Sequence, residues 1–286
     1  MKNDNTQAVF GPAGNSDSFY AAGNKATLQA PAWLQAQGLT AYEYQCGRGV
    51  NVGEATARAL GEEAASRGIA VSLHAPYYIS LASAEEEKRL GSLRYITDSA
   101  RAVTWMGGCR IVVHPGGLNK RTREDATHVA CDTLAAAQRE LDEQGLSLVR
   151  ICPETMGKIN QLGDLEEVIT MCGVDERFLP CVDFGHLNAR TLGGLHEAGA
   201  YSAVLDRLAD ALGEERAAQM HIHFSKIEYS AGGEKRHLTF EDTLYGPDPS
   251  PLMQELARRG WKPFVICESD GTQAEDARTL RDLFHA

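Results

Sequence analysis

The sequence predicts an α/β chain closed into a single (β/α)8 barrel, with residues 1–286 as one domain. Three observations predict it. Short apolar runs alternate with helical stretches from one end to the other, the pattern of parallel strands covered on both faces. Eight such runs fall within 286 residues, a length that suits one barrel. Polar residues end nearly every run, and no Gly-x-Gly-x-x-Gly follows the first. A doubly wound open sheet would instead gather its polar groups at one switch point.

The runs follow in order. Ala8–Gly11 is the first strand, and Ala41–Cys46 the second, ending at the flexible Gly47-Arg48-Gly49. Ala70–His74 leads into Ala75-Pro-Tyr77, and Arg110–His114 into Pro115-Gly-Gly117. Leu146–Ile151 leads into Cys152-Pro-Glu154-Thr-Met-Gly-Lys158. Phe178–Asp183 continues as Phe184-Gly-His186, Met220–Phe224 carries His221 and His223, and Lys262–Glu268 is the eighth. Between them, helical periodicity covers Glu54–Arg67, Ala84–Met106, Arg123–Gln144, Leu165–Cys172, Ala198–Leu212, Pro251–Arg259 and Gln273–Phe284. Most of these stop at a glycine, a C-terminal signal.

Composition narrows the function. No apolar stretch approaches the roughly 18–20 residues that cross a bilayer. The start, Met1-Lys-Asn-Asp-Asn-Thr6, lacks a signal-peptide core, so the expectation is a cytoplasmic protein with no membrane partner, acting as a monomer. Seven cysteines without a Cys-x-x-Cys pair fit free thiols in a reducing compartment. A net charge of −11 argues against broad nucleic-acid affinity, which rests on phosphate neutralisation. It leaves room for an enzyme that holds phosphates through bound cations.

Strand ends of a barrel converge on one mouth. That mouth collects His74, His114, Glu154, Asp183, His186, His221, His223 and Glu268, with His237 on a later loop. Any one of these histidines read alone is an ordinary half-buried residue. Scattered histidines would not track strand ends, however, and several carboxylates in one mouth repel unless protonated or metal-bound. His with Asp and Glu, without ligand-spaced Cys, suits zinc or manganese. A carboxylate bridging two ions about 3.5–4 Å apart gives Glu154 its central place, in the geometry used for phosphoryl transfer.

Residues 70–270 also carry a resemblance. His-Ala-Pro-Tyr at 74–77, Val-Val-His-Pro-Gly at 112–116, Pro-Glu-Thr-Met-Gly at 153–157, Val-Asp-Phe-Gly-His at 182–186, His221 with Lys226, and Glu268 occur in the order seen in endonuclease IV. The chain resembles that family of zinc-dependent abasic-site endonucleases within the xylose-isomerase-like barrels. The resemblance implies two to three Zn2+ ions, with Mn2+ as the alternative, and DNA containing abasic sites as the partner. His74, His114 and Glu154 would hold one ion. Glu154, Asp183, His221 and Glu268 would hold a second, and His186 and His237 a third. It further implies a metal-activated water attacking the phosphate 5′ to the abasic site, with Glu154 as the catalytic carboxylate.

Two departures stand out. The family places an Asp two residues before the His that corresponds to His237, whereas this chain has Lys235 there and Glu234 beside it. Either Glu234 ligates after a one-residue shift, or His223 substitutes, or the third ion is weak or missing. The loop Gln45–Asn51 is also unlike the family's DNA-prying loop. Tyr77 matches a position that contacts DNA, and Arg48, Lys158, Arg190, Lys226 and Tyr229 are further candidates for substrate contact. The competing reading is a xylose-isomerase-like sugar isomerase or epimerase, with one divalent ion on Glu154, Asp183, His221 and Glu268. Such an enzyme has no chemical need for His74 and His114. An idle metal- or nucleic-acid-binding barrel is a third reading.

Overall fold

The computed structural model describes residues 7–197 and 199–286, so the polar start at Met1–Thr6 and the expected helix start at Ala198 lie outside it. The strands are β1 (Val9–Pro12), β2 (Ala41–Gln45), β3 (Ala70–His74), β4 (Arg110–Val113), β5 (Arg150–Pro153), β6 (Cys181–Asp183), β7 (His221–Phe224), β8 (Lys226–Ser230), β9 (Gly233–Leu238) and β10 (Phe264–Cys267). All but β8 and β9 pair in parallel, in two sets ordered β2-β3-β4-β5 and β1-β10-β7-β6. Two parallel bridges join the sets, Ala13 to Glu43 and Glu154 to Cys181. They are reinforced by Gly14 N donating to Glu43 O (3.0 Å) and Thr155 N to Cys181 O (3.0 Å). The ring of eight strands is thereby complete. Gly11 permits the β1–β2 approach, because a Cβ there would lie 1.8 Å from Ala41 O.

The period-two alternation of each strand divides the side chains into two sets. Outward residues such as Leu73, Ile111, Val113, Ile151, Val182, Ile222, Phe224 and Val265 pack into the main core. Each contributes about 1.5–3 kcal/mol by burial. Inward residues stack in levels. Ala41, Phe264 and Ile266 form one apolar cluster and Val112, Cys152, Leu179 and Cys181 another. Glu43, Ser72 and His221 share the interior with them and are buried. The next inward residues toward the C-terminal ends are His74, His114, Glu154, Asp183, His223 and Glu268.

Three features differ from the sequence expectation. Strand six ends at Asp183 as expected but begins only at Cys181, and a helix over Phe184–Arg190 follows at once, capped by the Asp183 side chain, which accepts from His186 N (2.7 Å). An Asp followed by helix-compatible residues is both a strand end and a cap. Short helices at Asp17–Ala21 and Ala30–Ala36 fill the first connection. The third is the antiparallel hairpin β8–β9, which docks on the loop after β5 through a Lys158–Gly233 bridge. Gly233 has φ +89°, and a Cβ there would lie 2.2 Å from Gly157 O, so glycine is required.

Candidate metal centre

Glu154 stands at the centre of the mouth and is wholly buried. Its Oε2 lies 3.0 Å from His114 Nε2 and 3.4 Å from His74 Nε2. Its Oε1 lies 3.0 Å from His223 Nδ1 and 3.4 Å from His186 Nδ1. One carboxylate therefore serves two groups. His74, His114 and Glu154 offer ligand atoms within 4.8 Å of one another, as do Glu154, Asp183, His223 and Glu268. A third group, His186, Glu234 and His237, meets the same limit.

The hairpin explains how Glu234 enters the third group. In a regular strand, residues three apart face opposite sides. Here Glu228 pairs with Arg236 and Tyr229 with Glu234, so Lys235 is the extra residue of a β-bulge. The bulge returns Glu234 to the face that carries His237. Lys235 and Arg236 both turn to Glu228 instead, Arg236 at 2.7 Å. Glu234 Oε2 reaches 3.4 Å from His186 Nε2. Gly157 leaves the space, since a Cβ there would lie 2.6 Å from Glu234 Cβ and 3.0 Å from His186 Cδ2. The Gly of Pro-Glu-Thr-Met-Gly thus has a steric reason.

The donor set fits divalent cations. Glu154 Oε2 and Asp183 Oδ2 are buried oxygens with no aligned hydrogen bond among the described residues, and their nearest polar neighbours include imidazole nitrogens, His114 Nε2 at 3.0 Å and His186 Nδ1 at 3.2 Å. Such atoms cost free energy unless a cation or donor meets them. Three Nδ1 atoms meet backbone or hydroxyl oxygens, and that of His186 also lies 3.2 Å from Asp183 Oδ2. His74 Nδ1 lies 2.9 Å from Ala75 O, His186 Nδ1 2.9 Å from Thr155 O, and His237 Nδ1 2.8 Å from Ser225 Oγ. The two carbonyls favour the proton on Nδ1 of His74 and His186 and leave Nε2 as their lone pair, while the Ser225 hydroxyl can donate to or accept from His237 Nδ1.

The charges are strained without metal. Burial pushes the Glu154 carboxyl up, but the imidazoles of His223 and His114 outweigh it and hold it well below the usual range. For Asp183 burial wins, and the carboxyl is pushed up to about 6. Burial opposes charge on His74, yet Glu154 raises it to about 9; Asp183 and Glu154 likewise raise His186 to about 10. Without metal, protons hold the carboxylates together.

The structure places the remaining sequence candidates as follows. His223, rather than His221, faces Glu154 (3.0 Å) and Glu268 (3.5 Å). Both histidines point inward, but His221 lies two residues deeper, with Nε2 3.0 Å from Glu43 Oε2 and its ring stacked on Phe264. Burial holds His221 down at about 4. The substitution of His223 into the third site is likewise not what the geometry shows. Lys226 is tied to backbone, its ammonium donating to Phe240 O (2.9 Å) and Asp242 O. Arg190 is tied as well, to Met156 O (3.1 Å) and Lys158 O (2.8 Å). Tyr77, Arg48 and Lys158 are exposed, and Tyr77 and Lys158 line a cavity of about 440 Å³ with His114 and His237. A larger cavity of about 660 Å³, lined by Tyr229, Leu244 and Asp248 among others, includes none of the metal-ligand candidates. Sequence reasoning missed Glu43, a wholly buried carboxylate in the middle of β2. Its only signal was an acidic residue at an inward position of a buried strand.

Residues 31–284 match the family described as xylose isomerase-like TIM barrel. The chain belongs to that family. An uncharacterized protein of Methanocaldococcus jannaschii is 36% identical over 82% of this chain and 84% of its own. A probable endonuclease 4 of Acholeplasma laidlawii is 29% identical over 58% of this chain, an alignment spanning 56% of the relative's length. Among solved structures, endonuclease IV from Thermus thermophilus superposes with a TM-score of 0.64 at 21% identity, covering 98% of this chain and 99% of that one. The 3-keto-D-glucoside 4-epimerase YcjR of E. coli superposes at 0.67 with 15% identity, covering 97% and 99%. At these identities the superpositions speak for the fold alone. The resemblance to endonuclease IV stands on the sequence relatives together with the ordered motifs. No helix among the described residues is long and apolar enough to cross a membrane.

Proposed function

We propose that this chain is a metal-dependent phosphodiesterase of the endonuclease IV type, cleaving the phosphodiester 5′ to abasic sites in DNA with two to three zinc ions. Manganese is the alternative ion. The carrying observation is that His74 with His114, and His186 with Glu234 and His237, flank the central set of Glu154, Asp183, His223 and Glu268. One ion needs only the central set. The two flanking groups are the ligands of further ions, and two or more ions together suit phosphoryl transfer.

Bound divalent ions would lower the pKa of water toward about 7 and offset the charge of the transferred phosphoryl group. The chain's own residues do the rest. Glu154, Asp183 and His223, all wholly buried, keep bulk water from the floor of the mouth. His114, Glu234, His237 and Glu268 are half-buried and form its open side. Exposed Arg48 and Lys158 supply positive charge for phosphate at the rim, and Tyr77 an aromatic face for a base or sugar. Tyr77 N donates to Gly47 O (3.2 Å), which ties the loop after β3 to the loop that carries Arg48.

The second reading, a sugar epimerase with one divalent ion, is favoured by the four-ligand central set taken alone. Elemental analysis of protein purified without chelators separates the two. Two or three ions with nicking of abasic duplex DNA support the phosphodiesterase. A single exchangeable manganese or magnesium, with no nicking, replaces it with the epimerase.

A further inference from the structure

The histidines of this centre do not all face it the same way. His74, His186 and His237 each engage a carbonyl or hydroxyl oxygen through Nδ1 and turn Nε2 to the mouth. His223 is reversed, with Nδ1 3.0 Å from Glu154 Oε1 and Nε2 directed down the barrel. There Nε2 lies 3.0 Å from Glu43 Oε1, a close charge contact that is not aligned as a hydrogen bond in the metal-free chain.

We propose that Glu43 is a positioning residue for the metal centre, holding His223 by Nε2 so that Nδ1 is presented as the ligand. The inference rests on the metal-centre reading above. Its basis is the placement of Glu43. A wholly buried carboxylate in a barrel interior is costly to desolvate, and packing alone gives no reason to keep one. Its own orientation is fixed, because Ser72 Oγ donates to Oε2 (2.9 Å) and Gln45 Nε2 donates to Oε1 (3.1 Å).

Strand geometry explains why a carboxylate does this work. His74, His186 and His237 sit where loops or an adjacent chain segment supply an oxygen. His223 sits inside β7, whose backbone carbonyls are committed to the flanking strands β6 and β10. A side chain from across the barrel must then supply the acceptor, and the inward Glu43 of β2 is the carboxylate within reach, 3.0 Å from Nε2. A carboxylate behind a histidine ligand also raises its basicity toward a cation. His221 completes the arrangement from below, at 3.0 Å from the other Glu43 oxygen.

The test has two parts. On the unmutated, zinc-loaded chain, long-range 1H–15N correlation of the imidazoles should show His223 coordinated through Nδ1 with its proton on Nε2, opposite to His74 and His186. Coordination of His223 through Nε2 overturns the inference even if three zinc ions are bound. A chain that binds no divalent ion fails the metal-centre reading itself, and this inference with it. In the second part, Glu43→Gln should weaken zinc at the Glu154, Asp183, His223 and Glu268 site about 10–100-fold in competition with a chelator. Zinc at the His186, Glu234 and His237 site should be unchanged. Equal affinity at every site in a folded Glu43→Gln protein overturns the proposal. Should that variant fail to fold, the ring correlations of the unmutated chain decide alone.

Discussion

Replacing Glu154 with Gln keeps the side-chain volume and removes the one charge that the two main groups share. In metal-free protein the change should cost stability. Glu154 helps to raise His74 to about 9 and His186 to about 10, so at pH 8 both imidazoles carry protons that the carboxylate helps to hold. Gln cannot hold them, and the vanished desolvation cost of the carboxylate offsets only part of that loss. Metal-free Glu154→Gln should therefore fall below the parent by about 1–3 kcal/mol at pH 8 and approach it as pH climbs through 9 and 10. Metal-loaded protein should differ sharply. An ion present at 100 times its Kd stabilises the native state by about 2.7 kcal/mol. For a chain of this size that raises Tm by about 5–10 °C per ion, at roughly 2–4 °C per kcal/mol. Two groups share Glu154, so the variant should forfeit about 10–20 °C of the zinc-induced rise and retain only what the His186, Glu234 and His237 group contributes. Thermal unfolding of stripped and zinc-reloaded protein measures this directly. An undiminished rise in Glu154→Gln, or no rise in the parent, would refute the reasoning.

Four further predictions rest on the same geometry. Gly157→Ala puts a Cβ 2.6 Å from Glu234 Cβ and should expel one ion of three while leaving the others, as elemental analysis would show; three retained ions would mean Glu234 is not a ligand. His114→Ala should lose an ion and lower abasic-site nicking by about 10²-fold or more, on the scale of losing one transition-state stabilising group, and unchanged nicking would count against the phosphodiesterase. Without metal, His74 is raised to about 9 and His186 to about 10, so both carry protons at pH 7 that zinc must displace. Zinc affinity should therefore climb with pH toward 9–10, and calorimetry in buffers of different ionisation enthalpy should detect released protons. The metal-free fold has the opposite trend. The raised histidines stabilise it fully below about pH 6.5. That contribution is lost as pH climbs through 9 and 10, and metal-free stability that rises over this range would be inconsistent with the assigned charges.

The sequence by itself determined the barrel, because eight apolar runs with helices between them leave few other ways to cover both faces of parallel strands. It also put His74, His114, Glu154, Asp183 and Glu268 at strand ends, since a strand's end and its inward parity are local properties. Tertiary structure decided the rest. His221 and His223 have the same parity, so sequence cannot separate them. Depth along the barrel does, and depth depends on how β7 is staggered against β6 and β10. The pairing of Glu234 with His237 depends on a bulge at Lys235, which exists only in the hydrogen bonding between β8 and β9. Lys226 and Arg190 read as free cations until the fold showed backbone oxygens taking their charge. Glu43 was silent because its partners, Ser72, His221 and His223, lie 29, 178 and 180 positions away along the chain. Only closure of the barrel brings a carboxylate of β2 to the imidazoles of β7.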